Sequence, residues 1–291
     1  MPPEAITPRA LLRQAESALA TGPHPERARA DAELLLRHAL RRSKAWLIAH
    51  ADEPLAAAEA HHLDPMLRRR ASGEPVQYIL GEAEFHGLTL AVNPSVLIPR
   101  PETELLVTRA LDFLRQHQPT PTRILDIGTG SGAIAIALAV ACAQAQITAV
   151  DLSSAALALA AQNAARHHVA ARIDFRESDL FSALSGQRFD CIVSNPPYVP
   201  LADAPALAIE VRDHEPALAL FAGEDGLAVY RRLTPAARQH LHPGGLLALE
   251  IGFGQSDAVA ALLAASGFQQ IEILPDYQRI PRIAAAIQPA A

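Results

Sequence analysis

The tetrapeptide Asn195-Pro196-Pro197-Tyr198 follows a short apolar run at 190–194. Two successive prolines lack N–H donors and stiffen the backbone, which leaves their carbonyls to accept from another molecule. Asn195 adds a side-chain oxygen and Tyr198 an aromatic face. Together they suit a planar nitrogen bearing two hydrogens. One N–H goes to the Asn195 oxygen and one to a proline carbonyl, with the plane covered by Tyr198.

A second cluster is Leu125-Asp126-Ile127-Gly128-Thr129-Gly130-Ser131-Gly132-Ala133. It closes one β-type run and opens a helical one. Glycines there allow close backbone approach to a ligand, and a helix start offers unsatisfied N–H groups. Asp151 ends the next β-type run, where a carboxylate can accept both hydroxyls of a ribose. An adenosine-type cofactor is therefore expected. The loop leaves two open: Gly128-x-Gly130-x-x-Ala133 fits a nicotinamide dinucleotide fingerprint. Asp126-x-Gly128-x-Gly130-x-Gly132 resembles the first motif of class I S-adenosylmethionine-dependent methyltransferases.

These clusters need a frame. Beyond Pro101, β-type and helical patterns alternate. Strands are expected at 123–127, 146–150, 172–175, 190–194 and 246–251, with two more near 270–274 and 283–287. Helices are expected at 133–143, 154–167, 226–240 and 256–266. That alternation predicts an α/β fold with a parallel, doubly wound sheet, both clusters lying at its carboxyl edge. Residues 1–74 read as a small helical domain, with helical patterns from Thr7, at 28–39, 43–50 and 54–70. Residues 75–100 read as a hairpin linker, and 101–291 as the larger domain.

Composition narrows the function. The net charge is −6, with 25 basic and 31 acidic residues, which argues against a phosphate backbone as the main partner. Only Lys44 among the basic residues is a lysine. Cys142 and Cys191 stand in apolar runs and build neither a disulfide framework nor a zinc pattern; no metal is expected. The N-terminus has no signal-peptide core and no apolar run is long enough for a membrane span, so a cytoplasmic location without membrane partners is expected.

Asn-Pro-Pro-Tyr after the glycine loop resembles methyltransferases that modify planar exocyclic or amide nitrogens. The stretches Val96-Leu97-Ile98-Pro99-Arg100-Pro101-Glu102-Thr103-Glu104 and Gly81-Glu82-Ala83-Glu84-Phe85-His86-Gly87 are similar to the peptide chain release factor glutamine methyltransferases, the PrmC/HemK family. The likeness spans essentially the whole chain. It implies a class I, Rossmann-like sheet with a small N-terminal helical domain that docks the substrate. The implied reaction is methylation of the side-chain N5 of the glutamine in a release factor's Gly-Gly-Gln motif.

By the same resemblance Gly128, Thr129, Gly130, Ser131 and Gly132 cradle the methionine part of S-adenosylmethionine. Asp151 holds the ribose and Asp179 with Leu180 flanks the adenine. Asn195 touches both cofactor and substrate, while Pro196, Pro197 and Tyr198 complete the glutamine pocket; Asn195, Pro196 and Tyr198 are the expected catalytic residues. S-adenosylhomocysteine is the implied product. Leu180 stands where relatives often place an aromatic ring, and Arg279 replaces a usual glycine.

Three rivals remain at the level of sequence. A sister family acts on a glutamine of a large-subunit ribosomal protein, but usually differs at 100–104. Methylation of an exocyclic base amine in DNA or RNA would need base flipping and normally a basic groove, which the charge does not favour. A cofactor-binding scaffold without catalysis would have no use for the complete motif set.

Overall fold

The computed structural model describes residues 6–56, 61–117 and 122–290. The chain divides into two compact units.

The first unit holds residues up to Gly81 together with 208–214. Its helices are α1 (Pro8–Leu19), α2 (Ala28–Leu40), α3 (Lys44–Ala49), α4 (Leu63–Ala71) and α5 (Val76–Leu80). Thr7 caps α1, its hydroxyl accepting from Ala10 N at 3.2 Å, and Pro8 fits the first turn, where its missing N–H costs nothing. Ser43 caps α3 in the same way. Ala15, Leu19, Ala32, Leu35, Leu36 and Leu63 form the core. The single helix expected at 54–70 is not formed: 54–56 are non-helical, 57–60 lie outside the described residues, and α4 begins only at Leu63. The segment 76–80, expected in the hairpin, is helical and stops at Gly81, whose φ of +77° ends it as a left-handed C-cap.

A buried ion network holds the first unit's distant strip. Arg70, its side chain 2% exposed, donates from Nε to Asp31 at 2.7 Å and from Nη1 to Glu210 at 2.9 Å. The short helix Ile209–Arg212 carrying Glu210 thus belongs to the helical unit, although 140 residues separate it from Arg70.

The second unit opens with the hairpin β1 (Glu82–Phe85) and β2 (Leu88–Ala91), followed by α6 (Glu104–His117). Then come β3 (Thr122–Ile127), α7 (Ala133–Ala141), β4 (Ala145–Asp151), α8 (Ser154–Arg166), β5 (Ile173–Glu177) and β6 (Phe189–Ser194). The chain closes with α9 (Ala228–His240), β7 (Leu241–Glu250), α10 (Ser256–Ala265), β8 (Gln269–Pro275) and β9 (Pro281–Ile287). The seven-stranded sheet runs β5-β4-β3-β6-β7-β9-β8.

The central strands are buried on both faces, as Ile124, Leu125 and Ile127 of β3 and Cys191, Ile192 and Val193 of β6 show. α7 is apolar all round because it lies inside this packing. One correction to the all-parallel expectation is needed: β9 is antiparallel to both β7 and β8. The residues between β8 and β9 are too few for a crossover, which takes a dozen or more, so they turn tightly and reverse the chain. Asp276 makes that turn, accepting from the backbone N–H groups of Gln278 and Ile280. Among the described residues no helix is long and apolar enough to cross a membrane.

Strand order reverses between β3 and β6, so the loops after these strands part and leave a crevice at the carboxyl edge.

Candidate active site

A cavity of about 310 Å³ occupies this crevice. Its walls come from the loops after β3, β4, β5 and β6, and from the segment 95–103 ahead of α6. Of the residues singled out from the sequence, Gly128, Thr129, Gly130 and Ser131 line it, as do Asp151, Asp179, Leu180, Asn195, Pro196 and Pro197. Two do not. Gly132 packs instead of lining: a Cβ there would meet Ile136 at 2.9 Å and Ala160 at 3.1 Å, so it lets α7 approach α8. Tyr198 packs its ring against the core and donates its hydroxyl to Glu250 Oε1 at 3.4 Å, so it does not cover the cavity as expected.

The glycine loop is held from below. Asp126 Oδ2 accepts from the Thr129 hydroxyl at 2.7 Å and from Ala135 N at 3.2 Å, tying the loop to the first turn of α7. Full burial pushes the Asp126 carboxyl up to about 7, against the pull of those two donors. From the side, Asp151 Oδ2 accepts from Gly130 N at 2.8 Å and Oδ1 from Ser153 N at 2.9 Å.

These residues fit an adenosine-type cofactor. A carboxylate oxygen has two lone pairs, so the Asp151 oxygens retain acceptor capacity for a pair of ribose hydroxyls. Gly130, with φ +56°, borders the cavity, and a Cβ built on it meets no atom within 4 Å. The absent side chain leaves that volume to a ligand. Leu180 offers an apolar surface in place of a ring. It sits at φ +52°, held by Ser178 Oγ, which donates to its carbonyl at 2.9 Å. Asp179 is bridged by Arg232 at 2.6 Å, and both line the cavity.

The tetrapeptide is anchored by residues that sequence reading did not single out for the site. Asn195 donates from Nδ2 to Thr103 Oγ1 at 3.1 Å, and Thr103 donates to Glu250 Oε2 at 2.5 Å. Gln255 Nε2 donates to the Tyr198 carbonyl at 2.9 Å. The segment over the cavity is pinned by Glu215, a buried carboxylate bound to Arg100 at 2.5 Å and to Ile98 N at 3.4 Å. Asn163, fully buried, accepts from Ala91 N and donates to the carbonyls of Ala91 and Ser131, joining the hairpin to the glycine loop. Arg279 stands at φ +65°, a conformation that explains why glycine suits this position.

Comparison with known proteins agrees with this architecture. Residues 10–81 match the family model of the PrmC N-terminal domain, and 103–210 that of the methyltransferase small domain. A release factor glutamine methyltransferase of Geobacter sulfurreducens is 44% identical over 258 residues, covering 89% of each chain. One from Cereibacter sphaeroides is 45% identical over 280 residues, covering 96% of this chain and 98% of its own. The chain belongs to the release factor glutamine methyltransferase family. It is accordingly a methyltransferase, with the class I Rossmann-like sheet described above. The structure of the Thermus thermophilus 16S rRNA N2 G1207 methyltransferase in complex with AdoMet and guanosine resembles it at the level of the fold. Its TM-score is 0.54 at 21% identity, covering 71% of this chain and 49% of that one.

Proposed function

We propose that this chain methylates the side-chain amide nitrogen of a glutamine in peptide chain release factors, with S-adenosylmethionine as donor. The observation that carries this reading is the geometry at Asn195. Its Nδ2 is committed to Thr103, so Oδ1 is the atom left to accept from a substrate N–H beside the stiff Pro196-Pro197 backbone.

An amide nitrogen is a poor nucleophile because its lone pair is delocalised into the carbonyl. When bound, the donor supplies an electrophilic methyl group on a positively charged sulfur. Asn195 Oδ1 and the Pro196 carbonyl accept the two N–H groups and so fix the plane of the nitrogen. Alignment of this kind accounts for up to about 7–11 kcal/mol in ideal cases. The same two oxygens favour positive charge as it develops on nitrogen, where an oxyanion hole would favour negative charge. The new N–C bond forms as the C–S bond breaks, the electron pair stays on sulfur, and the nitrogen then loses one proton to solvent. In this reading Asp151 holds the ribose, Asp179 and Leu180 flank the adenine, and Gly128 to Ser131 hold the methionine part, Gly132 serving the packing of α7 instead. The helical unit, residues up to Gly81 with 208–214, is assigned to docking the release factor, and the second unit to the reaction.

The test is Asn195→Ala with release factor as substrate. Turnover falls by roughly 10²–10³, as for loss of one preorganised polar group, while calorimetric affinity for S-adenosylhomocysteine, anchored also by Asp151 and the glycine loop, falls far less. Wild-type turnover in that variant would remove Asn195 from the site.

A further inference from the structure

Asn195 is useful only one way round. A side-chain amide has an oxygen on one branch and an NH₂ on the other, and a flip exchanges an acceptor for two donors. Nothing in the tetrapeptide itself selects between the two orientations. The selection comes from 55 residues further along the chain, through a directional chain of hydrogen bonds. Glu250, at the end of β7 and almost wholly buried, has no proton to donate when it is ionised and can then only accept. It takes the Thr103 hydroxyl proton on Oε2 at 2.5 Å and the Tyr198 hydroxyl on Oε1 at 3.4 Å. A hydroxyl has one proton. With that proton given to Glu250, Thr103 Oγ1 can only accept, and it accepts from Asn195 Nδ2 at 3.1 Å.

We propose, on the reading given under Proposed function, that Glu250 is a positioning residue: through the Thr103 hydroxyl its carboxylate holds the Asn195 amide with Oδ1, not Nδ2, offered to the substrate. A neutral partner at 250 can donate to Thr103, which frees the threonine proton to go to Asn195 Oδ1. The flipped amide then satisfies the buried groups equally well and presents a donor to the substrate N–H.

The surroundings place this choice within reach of ordinary pH. Burial pushes the Glu250 carboxyl up to about 7, and Glu102 adds to that rise. The hydroxyls of Thr103 and Tyr198 and the charge of Arg282 oppose it. Tyr230, whose hydroxyl donates to the Glu250 backbone carbonyl at 2.7 Å, is raised by its own burial and remains neutral. Arg100 acts on the neighbouring Tyr198, whose burial pushes its hydroxyl well up, so that it too stays a donor. Above pH 7 the carboxylate enforces one orientation; below it the carboxylic acid relaxes the selection.

The experiment compares wild type, Glu250→Gln, Thr103→Val and the double variant, each measured across roughly pH 6 to 9. Turnover of release factor is measured beside S-adenosylhomocysteine affinity, and the Asn195 side-chain NH₂ resonances are followed by nitrogen-15 NMR without any substrate. Each single variant lowers kcat by about 2-fold, as when half of the Asn195 amides are flipped, with KM for release factor and affinity for the product unchanged. The double variant is no worse than either single one, because both cut the same chain. Wild type loses activity on the acid side of about pH 7, Glu250→Gln shows no such limb, and Thr103→Ser, which keeps the hydroxyl, recovers most of the loss. In wild type the Asn195 NH₂ resonances follow a titration near pH 7 that is missing in Glu250→Gln.

Wild-type kcat and pH profile in folded Thr103→Val, multiplying losses in the double variant, or Asn195 resonances indifferent to pH would each overturn the proposal. Should Glu250→Gln fail to fold, Thr103→Val and the wild-type NMR titration decide. Should wild type not methylate release factor, the functional reading falls, and the resonances still decide the orientation.

Discussion

Gly226 lies directly against the carbonyl of Tyr198. A Cβ built on Gly226 would stand 2.2 Å from the Tyr198 oxygen and 2.6 Å from Gln255 Nε2, the group that donates to that oxygen. The end of the tetrapeptide is therefore gripped by bare backbone on one side and an amide donor on the other. Gly226 also has φ +73°, which side-chain-bearing residues rarely adopt.

Gly226→Ala should consequently displace the tetrapeptide without touching the cofactor anchors after β3 and β4. Turnover drops by about 100-fold, while calorimetric binding of S-adenosylhomocysteine is maintained. Equal losses in both measurements would show that the displacement reaches the glycine loop.

Asp151 has two tasks, and two substitutions separate them. It accepts from the N–H groups of Gly130 and Ser153, shaping the loop, and its remaining acceptor capacity faces the cavity. Asp151→Ala removes both tasks and weakens S-adenosylmethionine and its product by about 1.5–3 kcal/mol, the range for hydrogen bonds to a charged acceptor. Asp151→Asn keeps one acceptor oxygen and loses less. Isothermal titration of both ligands checks this; unchanged affinity in Asp151→Ala would place the ribose elsewhere.

The buried network of the helical unit gives a stability prediction. Arg70→Met leaves Asp31, which is 1% exposed, with its main partner gone. Breaking a buried pair from one side costs about 3–5 kcal/mol. Arg9→Ala breaks a pair between exposed side chains, Arg9 with Asp52, and should leave the midpoint in place. Urea unfolding followed by circular dichroism distinguishes the two, and equal midpoints for both variants would contradict the assignment.

Much of the frame was legible because local pattern and burial coincide there. The apolar runs of β3 and β6, the glycines between β3 and α7, and Asp151 at the end of β4 all announce themselves within a few residues. The reversal at β9 was legible in principle, from a gap too short for a crossover. What local pattern could not reveal are partners far apart in the chain. Glu250 reads as the last residue of a strand, and Thr103 as part of a resemblance; they stand 147 positions apart. Glu210 sits on a single helical turn whose meaning comes from Arg70. The chemistry of Tyr198 points to the substrate, whereas packing against the core and Glu250 claims its ring and hydroxyl.

The reaction is defined by the atom that is methylated. The direct measurement is mass-spectrometric mapping after incubating the protein and S-adenosylmethionine with a mixture of release factor, ribosomal proteins, DNA and RNA. One methyl group on the side-chain amide nitrogen of a release factor glutamine is expected, absent when Asn195→Ala replaces wild type. A methyl group on a ribosomal-protein glutamine or on a base amine, with the release factor unmodified, would contradict it.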